Sequence, residues 1–283
     1  MVDNKEIDLT ICMATCGRPK AIKRCLRSID KNVTYPHKIA VLDNTPYYTD
    51  EPIMEWAKTD KRIDIYLPRK DLVFVGQSNQ ILADACDTKY IMHIDDDIYF
   101  DKPGIIEAEM DYIKKHPDIG IVSCAWLDKL YGGFREIVMK WQVGYDKNGT
   151  KCFRKYPIPY EQTKQLGLDV MESDECLHSM IINRELVYDK GIKWDETFEA
   201  KGDRASFFLQ CRQKNVSIRV LTNHYIVHDP MGLTYGSVNY TYAQPPNIKE
   251  RFYKKYGYWP LTNWDGPQWR LDKDNKLRGI TNE

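Results

Sequence analysis

The chain has 283 residues, and its 41 Lys and Arg residues are balanced by 41 Asp and Glu residues. Such a neutral chain carries no overall field that attracts nucleic acid or an anionic membrane, and no window is long and apolar enough to cross a bilayer. Hydrophobic residues make up 42% of the sequence, which suits a folded domain with a buried core and excludes a disordered or membrane-spanning chain.

The first hundred residues alternate predicted strands and helices. Helices are predicted over 20–29, 52–59 and 76–86, and strands over 8–14, 38–44, 62–68 and 90–94. Such alternation predicts an α/β fold with a mostly parallel central sheet and helices on both faces.

The second half of the chain is mixed. A hairpin is predicted over 133–156 and a helix over 203–215, with Asp203 as its N-cap. The remaining predicted elements are a helix over 103–116, a strand over 118–126, a strand leading into a short helix over 179–191, two short strands over 216–221 and 224–229, and an amphipathic stretch over 247–257.

The acidic triplet Asp95, Asp96 and Asp97 follows a buried strand directly. Three like charges at the end of an apolar strand are costly unless they are solvated, hydrogen-bonded or bound to a metal. In an extended segment Asp95 and Asp97 project to one side and Asp96 to the other, so the outer pair is predicted to bind a hard divalent cation such as Mg²⁺ or Mn²⁺. The alternative is a solvated acidic turn that caps the following helix.

Other polar residues lie at the carboxyl ends of predicted strands, namely Thr15, Arg18 and Asp43. Ligands of open α/β sheets bind outside the carboxyl ends of the strands. These loops and the acidic triplet are therefore predicted to share one cleft.

Four segments resemble family 2 glycosyltransferases of the GT-A fold, a Rossmann-like nucleotide-diphospho-sugar transferase fold. They are "ICMATCGRPKAIKRCLRSI", "AVLDNTP", "SNQILADACDTKYIMHIDDDI" and "KWDETFEAKGDRASFFLQCRQKNVSIRVLTNHYIVHD". The resemblance implies a metal-dependent hexosyltransferase that moves a sugar from a nucleoside-diphosphate sugar, expected to be a UDP-sugar, to an acceptor hydroxyl.

The resemblance also implies site residues on the donor side. The metal, Mn²⁺ or Mg²⁺, would be bound by Asp95, Asp97 and His228. The residues expected at the nucleotide or cofactor are Thr15, Arg18, Asp43, Asn79, Asp95 and Asp96.

On the acceptor side, the resemblance places Asp203 as the general base, which implies inversion at the anomeric carbon; Glu199 is its nearest substitute. Glu175 and Trp126 are expected beside the sugar or the acceptor. The acceptor itself, a glycan, a protein or a modified nucleic acid, is left open, and no clear nucleic-acid-binding signature is present.

Two motifs depart from the family pattern. The usual Arg-Asn pair is replaced by Ser78-Asn79, so that a basic contact to the diphosphate would come from Arg69 or Lys70, or would be missing. The usual Glu-Asp acceptor motif is Gly202-Asp203 here.

Residues 1–229 are predicted to form the glycosyltransferase domain, with a donor half over about 1–100 and an acceptor half over about 101–229. Residues 230–283 are predicted to be an aromatic-rich extension that packs on the active site or closes it. Eight scattered cysteines without a C-x-x-C pair, and a start without a signal-peptide core, predict free thiols and a cytoplasmic location.

Three alternatives stay open at this point. A retaining transferase would keep the metal site without needing Asp203 as base. A nucleotidyltransferase shares the fold but ordinarily needs a glycine- and lysine-rich phosphate loop, in which "ATCGRPKAIK" is poor. A non-catalytic nucleotide-sugar-binding module would be expected to lose Asp97 or Asp203, and both are present.

Overall fold

Strands and helices alternate at the start of the chain as predicted. The computed structural model describes residues 7–44, 56–69, 73–130, 132–134, 138–145, 148–177, 179–198, 202–230, 247–261, 269–271 and 277–279. The helices are α1 (Pro19–Asn32), α2 (Val75–Ala85), α3 (Ile105–Lys115), α4 (Tyr160–Gln165), α5 (Arg184–Val187), α6 (Asp203–Gln213) and α7 (Ile248–Tyr256). The helix predicted over 52–59 begins outside the described residues.

The strands fall into a large sheet and two small ones. The large sheet contains β1 (Leu9–Thr15), β2 (His37–Asp43), β3 (Ile65–Pro68), β4 (Tyr90–Asp95), β5 (Ile98–Tyr99), β6 (Ile119–Asp128), β7 (Gly133–Phe134), β10 (Val170–Glu172), β11 (Ser179–Asn183) and β12 (Ser217–His228). The small sheets contain β8 (Val138–Tyr145), β9 (Lys151–Ile158) and β13 (Trp259–Leu261), and β14 (Trp269–Leu271) with β15 (Leu277–Gly279).

The large sheet is a mixed sheet with a parallel donor half. Its order is β10-β12-β6-β11-β4-β1-β2-β3, with β5 beside β12 and β7 beside β6. β3, β2, β1 and β4 run parallel, and β11 is antiparallel between β4 and β6. The α/β fold prediction is therefore confirmed.

Alternating side chains distribute the core over both faces of the sheet. In β1, Leu9, Ile11 and Met13 pack in the cluster that includes α1 and α3, whereas Cys12 packs with the apolar face of α2. A further cluster joins α6 to the hairpin of β8 and β9. Helices therefore cover both faces of the sheet.

The structure differs from the predicted elements in two details. β12 is one strand with an irregularity between Leu221 and Tyr225, where two strands were predicted. Asp203 is the first residue of α6, and the N-cap is Gly202 at φ 92°, so the N-cap prediction for Asp203 is wrong by one residue. The cause is the left-handed backbone that glycine adopts at little cost just before the helix.

All eight cysteines are buried as free thiols, in agreement with the predicted absence of a disulfide framework. None of the helices in the described part of the chain combines the length and the apolar character that crossing a bilayer requires.

Glu109 is a fully buried carboxyl group in the core between α3 and the sheet. No nitrogen or oxygen donor among the described residues reaches its side-chain oxygens, and the buried Cys124 thiol is its polar neighbour. Burial raises the pKa of Glu109 well above the ordinary value of about 4.5, although the Cys124 thiol opposes the shift. The folded chain therefore keeps Glu109 protonated at pH values where the unfolded chain releases the proton. The stability that this group contributes is complete below about pH 4.5 and is lost as the pH rises toward the folded pKa.

We expect Glu109→Gln to remove this pH dependence. Relative to the variant, the wild-type free energy of unfolding should fall by up to about 1.4 kcal/mol per pH unit between pH 5 and 7, measured by urea unfolding. Asp111→Asn is the matched control, because Asp111 lies in the same helix with its side chain 63% exposed. Parallel pH profiles for the wild type and Glu109→Gln would contradict the prediction.

Candidate active site

The carboxyl ends of three neighbouring strands lie side by side. In the parallel registers, Thr15 of β1 pairs with Asp43 of β2, and Ala14 pairs with Asp95 of β4. The backbone N–H of Asn44 donates to the Thr15 carbonyl oxygen at 2.9 Å and ties the loop after β2 to the end of β1. Thr15, Asp43 and Asp95 therefore lie at one edge of the sheet, which is where the sequence predicts a shared cleft.

The acidic triplet is a turn beyond Asp95, and its carboxylates are arranged around Arg18. Thr15 Oγ1 donates to Asp96 Oδ2 at 2.7 Å, and Arg18 Nη1 donates to Asp97 Oδ2 at 2.6 Å. Arg18 Nη2 also donates to Asp96 Oδ1. Strand alternation predicted that Asp96 faces away from Asp97, but the strand ends at Asp95, and both carboxylates reach the same guanidinium.

Asp96 is the buried carboxylate that holds the Arg18 side chain. It is fully buried, and both of its oxygens accept hydrogen bonds from Thr15 and Arg18. Burial raises the pKa of Asp96 to about 7, although the positive charge of Arg18 opposes the shift. The predicted contact between Asp96 and the nucleotide has no free oxygen to use in this arrangement, and its visible role is to hold Arg18.

Asp97 faces His228, the last residue of β12. His228 Nε2 lies 3.6 Å from Asp97 Oδ1, and Oδ1 is a buried atom without a hydrogen-bond partner among the described residues. The other ring nitrogen, Nδ1, lies 3.1 Å from Asp128 Oδ2 at the end of β6, and the indole of Trp126 stacks on the imidazole at 4.9 Å. An unpaired carboxylate oxygen next to an imidazole that a second carboxylate orients is the arrangement expected of metal ligands.

This arrangement fits a divalent cation by the chemistry of its donors. Carboxylate oxygen and imidazole nitrogen both suit Mn²⁺, and the unpaired Oδ1 of Asp97 is a buried acceptor that a cation would satisfy. Within the described ranges, no group of three or more His, Cys, Asp or Glu side chains is already arranged around a single metal position. Further ligands would therefore come from elsewhere, as with ions that complete their shell with phosphates and water.

Trp126 is only 6% exposed, and its Nε1 donates to Ser179 Oγ at 2.7 Å. It was predicted to contact the sugar or the acceptor. In the structure the indole packs against His228 and offers little surface to a ligand.

Asp43 is buried at the end of β2. Tyr66 OH donates to Asp43 Oδ2 at 2.8 Å, and the backbone N–H of Arg69 donates to the Asp43 carbonyl oxygen at 2.9 Å. The backbone of Arg69 thus lies beside the carboxyl end of β2, whereas Lys70 lies outside the described residues. Tyr66 orients the carboxylate that the sequence predicts at the base or ribose.

Asp203 lies against the first turn of α2. A Cβ atom added to Gly76 would be 3.0 Å from Asp203 Cβ, so these two backbones approach too closely for an alanine to fit without a shift. Asn44 Nδ2 donates to the Val73 carbonyl oxygen at 3.0 Å, which links this turn to the loop after β2. Asp203 therefore belongs to the same edge of the sheet. Asn79 is buried one turn further along α2.

Glu175 is the centre of a buried ion cluster. Arg204 Nε donates to Glu175 Oε1 at 2.7 Å, Trp141 Nε1 donates to Oε2 at 3.1 Å, and Lys155 pairs with Oε2. Burial opposes ionisation of Glu175, but the charges of Lys155 and Arg204 outweigh it and hold its pKa below the ordinary value. Both Glu175 oxygens are thus bound by protein side chains, and neither is free for the predicted contact with the acceptor. Glu175 instead holds Arg204, the residue next to Asp203.

Sequence reasoning missed several of these residues. Asp128 had a usable signal, because it ends a buried strand just as Asp95 does. No such signal marks Tyr66, Gly76 or Lys155, since their partners lie in other parts of the sequence. Glu199, the substitute base, lies outside the described residues.

The model of the family "Glycosyl transferase family 2" matches residues 10–189. A search of curated protein sequences gives no match.

The solved structures that resemble the chain share its fold. TarS of S. aureus, residues 1–349, has a TM-score of 0.57 at 13% identity, covering 79% of this chain and 60% of TarS. The same protein in complex with UDP-GlcNAc has a TM-score of 0.58 at 13% identity, covering 82% and 61%. GalNAc-T7 with UDP, GalNAc and Mn²⁺ has a TM-score of 0.56 at 14% identity, covering 80% of this chain and 44% of GalNAc-T7. The chain thus corresponds to less than two thirds of each of these longer chains.

The mixed sheet, with its polar residues gathered at the carboxyl ends of the strands, is that of a glycosyltransferase with the GT-A fold. The family match covers well over half of the chain, and the chain belongs to glycosyl transferase family 2.

Proposed function

We propose that the protein transfers a hexose from a UDP-sugar to an acceptor hydroxyl, with the help of Mn²⁺ or Mg²⁺ and with inversion at the anomeric carbon. The observation that carries this proposal is the buried, unpaired Oδ1 of Asp97, which lies 3.6 Å from His228 Nε2. A cation bound between the donor phosphates and these side chains would give both Asp97 Oδ1 and His228 Nε2 a partner.

Asp97 and His228 would hold the metal, and Asp95, the last residue of β4, is the third candidate. When bound, the metal supplies positive charge that stabilises the diphosphate leaving group. Arg18 already donates to Asp97 Oδ2, so Oδ1 is the oxygen that Asp97 presents to the donor side. Asp128 keeps the His228 imidazole in the orientation in which Nε2 faces Asp97.

The UDP moiety is proposed from the neighbours and from Asp43. TarS has been solved with UDP and with UDP-GlcNAc, and GalNAc-T7 with UDP. The position of Asp43, held by Tyr66 at the carboxyl end of β2, supports its proposed contact with the base or ribose. A screen of UDP-sugars and of acceptors identifies the sugar that is transferred and the group that receives it.

Asp203 is proposed as the general base. Its carboxylate would accept the proton of the acceptor hydroxyl while the acceptor oxygen forms a bond to the anomeric carbon and the bond from that carbon to the phosphate oxygen breaks. Attack opposite the leaving group inverts the anomeric configuration. The close approach of Asp203, the first residue of α6, to Gly76 of α2 supports this role, because it brings the proposed base next to the helix that carries Asn79.

Two broader predictions are part of the same proposal. Residues 1–229 would form the catalytic domain, and residues 230–283 an extension on the active site. A cytoplasmic location is supported by eight buried cysteines that are all free thiols, as in a reducing compartment.

The test is metal-dependent binding of UDP. The wild type should show a higher thermal unfolding midpoint with UDP and Mn²⁺ together than with UDP and EDTA, because a ligand that binds the folded state stabilises it. Asp97→Asn should weaken the Mn²⁺-dependent binding of UDP at least about tenfold in calorimetry. Asp101→Asn is the control, since Asp101 is an exposed carboxylate four residues further along the chain.

Two outcomes would contradict the proposal. Unchanged Mn²⁺ dependence in Asp97→Asn would show that Asp97 does not hold the metal. Stabilisation of the wild type by ADP, GDP or CDP in preference to UDP would overturn the nucleotide assignment.

A further inference from the structure

Arg24, in the second turn of α1, contacts both segments that carry the proposed metal ligands. Its Nη1 donates to Asp229 Oδ2 at 2.6 Å, and its Nη2 donates to the Asp229 carbonyl oxygen at 2.7 Å. The same Nη2 lies 3.2 Å from the carbonyl oxygen of Asp97. One guanidinium therefore touches the acidic turn and the residue directly after His228.

These two segments are distant in the sequence and depend on few contacts at this point. The backbone N–H of Asp229 donates to the Asp97 carbonyl oxygen at 3.0 Å, and the two-residue strand β5 pairs with the last residues of β12. The guanidinium of Arg24 also lies over the Tyr99 ring of β5, with Cζ 4.8 Å from the ring centre. Arg24 is thus bound to the acidic turn, to β5 and to the end of β12.

The spacing that these contacts set is close to what one metal ion requires. Two ligands about 2.1 Å from an octahedral ion are about 3 Å apart. Asp97 Oδ1 and His228 Nε2 are 3.6 Å apart in the structure. His228 adjoins Asp229, and the Asp97 carbonyl oxygen itself accepts from Arg24, so a change at Arg24 is expected to alter the separation of the two ligands.

We propose that Arg24 is a positioning residue that sets the distance between Asp97 and His228 for binding of a divalent cation. The inference rests on the proposed function, because it assumes that these two residues hold the metal. Arg24 touches neither substrate nor metal in this scheme; it acts through Asp229 and the Asp97 backbone.

The positive charge of Arg24 allows positioning of the ligands to be distinguished from repulsion of the metal. A cation close to a metal site repels the metal, so that loss of the charge alone would tighten metal binding. Loss of positioning would weaken it. The two roles therefore predict opposite changes when Arg24 is replaced by an uncharged side chain of similar length.

The experiment measures Mn²⁺ affinity of the full chain at saturating UDP, with the free Mn²⁺ counted by electron paramagnetic resonance. Arg24→Met should bind Mn²⁺ about ten to a hundred times more weakly than the wild type, the range typical of residues that orient metal ligands. Arg24→Lys should also bind more weakly, because one ammonium group replaces the fork that spans Asp229 and Asp97. Arg27→Met is the matched control, as it removes the same charge from an exposed position of the same helix, and its affinity should stay within about twofold.

A double-mutant comparison separates positioning from a general loss of structure. In a His228→Ala background, Arg24→Met should have little further effect on Mn²⁺ affinity, because one of the two ligands that it positions is gone. An equal loss in both backgrounds would overturn the positioning role, and so would Mn²⁺ binding in Arg24→Met that is as tight as in the wild type or tighter. If the wild type itself bound no Mn²⁺ with UDP, the proposed function would fail and the positioning role with it.

Discussion

Asp203→Asn should lower kcat for sugar transfer by about 10² to 10⁴ while leaving Mn²⁺-dependent UDP binding within about twofold of the wild type. Asparagine has nearly the same shape as aspartate, so the close packing between Asp203 and Gly76 is kept. It cannot accept the proton of an acceptor hydroxyl, so the chemical step loses its base while the donor site is intact. The measurement is steady-state transfer with the donor identified by the UDP-sugar screen, together with calorimetry of UDP binding.

A control variant and the anomeric configuration of the product complete this experiment. Ser206→Ala is a suitable control, because Ser206 is buried in the same helix and its hydroxyl donates to the Asp203 backbone carbonyl oxygen rather than to the carboxylate. Proton NMR of the product should show the anomeric configuration opposite to that of the donor. Retention of configuration, or a kcat for Asp203→Asn close to the wild-type value, would rule out Asp203 as the base of an inverting displacement.

Glu175→Gln should destabilise the folded protein by about 3 kcal/mol, because it leaves Lys155 and Arg204 without their shared counter-ion. Breaking a buried ion pair costs about 3 to 5 kcal/mol, and we expect the lower end of this range. The Glu175 side chain is 1% exposed, but those of Lys155 and Arg204 are 21% and 33% exposed, so that water can partly solvate them. Urea unfolding of both proteins at pH 7 gives the difference in free energy.

Glu172→Gln is the matched control for this change. Its side chain is 57% exposed, and its ion pairs with Lys140 and Arg219 are 3.8 Å long, so that its loss should cost less than about 1 kcal/mol. Because the pKa of Glu175 is held below its ordinary value of 4.5, its contribution should persist at neutral pH and be lost only as the pH falls through the folded pKa. Equal losses of unfolding free energy in Glu175→Gln and Glu172→Gln would contradict the prediction, because they would show that water solvates Lys155 and Arg204 when Glu175 is removed.

The sequence predicts those parts of the fold that local patterns determine. Apolar runs locate β1, β2, β4 and β6, because each is buried on both faces of the sheet and needs continuous hydrophobic character. Short strands such as β5 and β7 are not predictable in this way, because two residues carry no periodicity. They form only where a longer strand is already present to pair with.

The candidate site shows the same division. Asp97 and Asp43 are recognisable because each carboxylate lies at the end of, or just beyond, a buried strand, where charge is costly without a function. The contact of Asp96 with Arg18 was not predictable, since side-chain alternation holds only while the backbone stays extended, and the strand ends one residue earlier. The contacts of Arg24 and Lys155 join residues far apart in the chain, which a local pattern does not encode.

The burial of all eight cysteines has a practical consequence for studying this enzyme. A maleimide or methanethiosulfonate reagent reacts with an accessible thiolate, and a thiol inside the core is shielded from it. A cysteine introduced at an exposed position such as Tyr145, which is 70% exposed, would therefore be the rapidly labelled thiol without removal of any native cysteine. A nitroxide attached there would report its distance to bound Mn²⁺, so that the metal position could be located in solution against the β8–β9 hairpin.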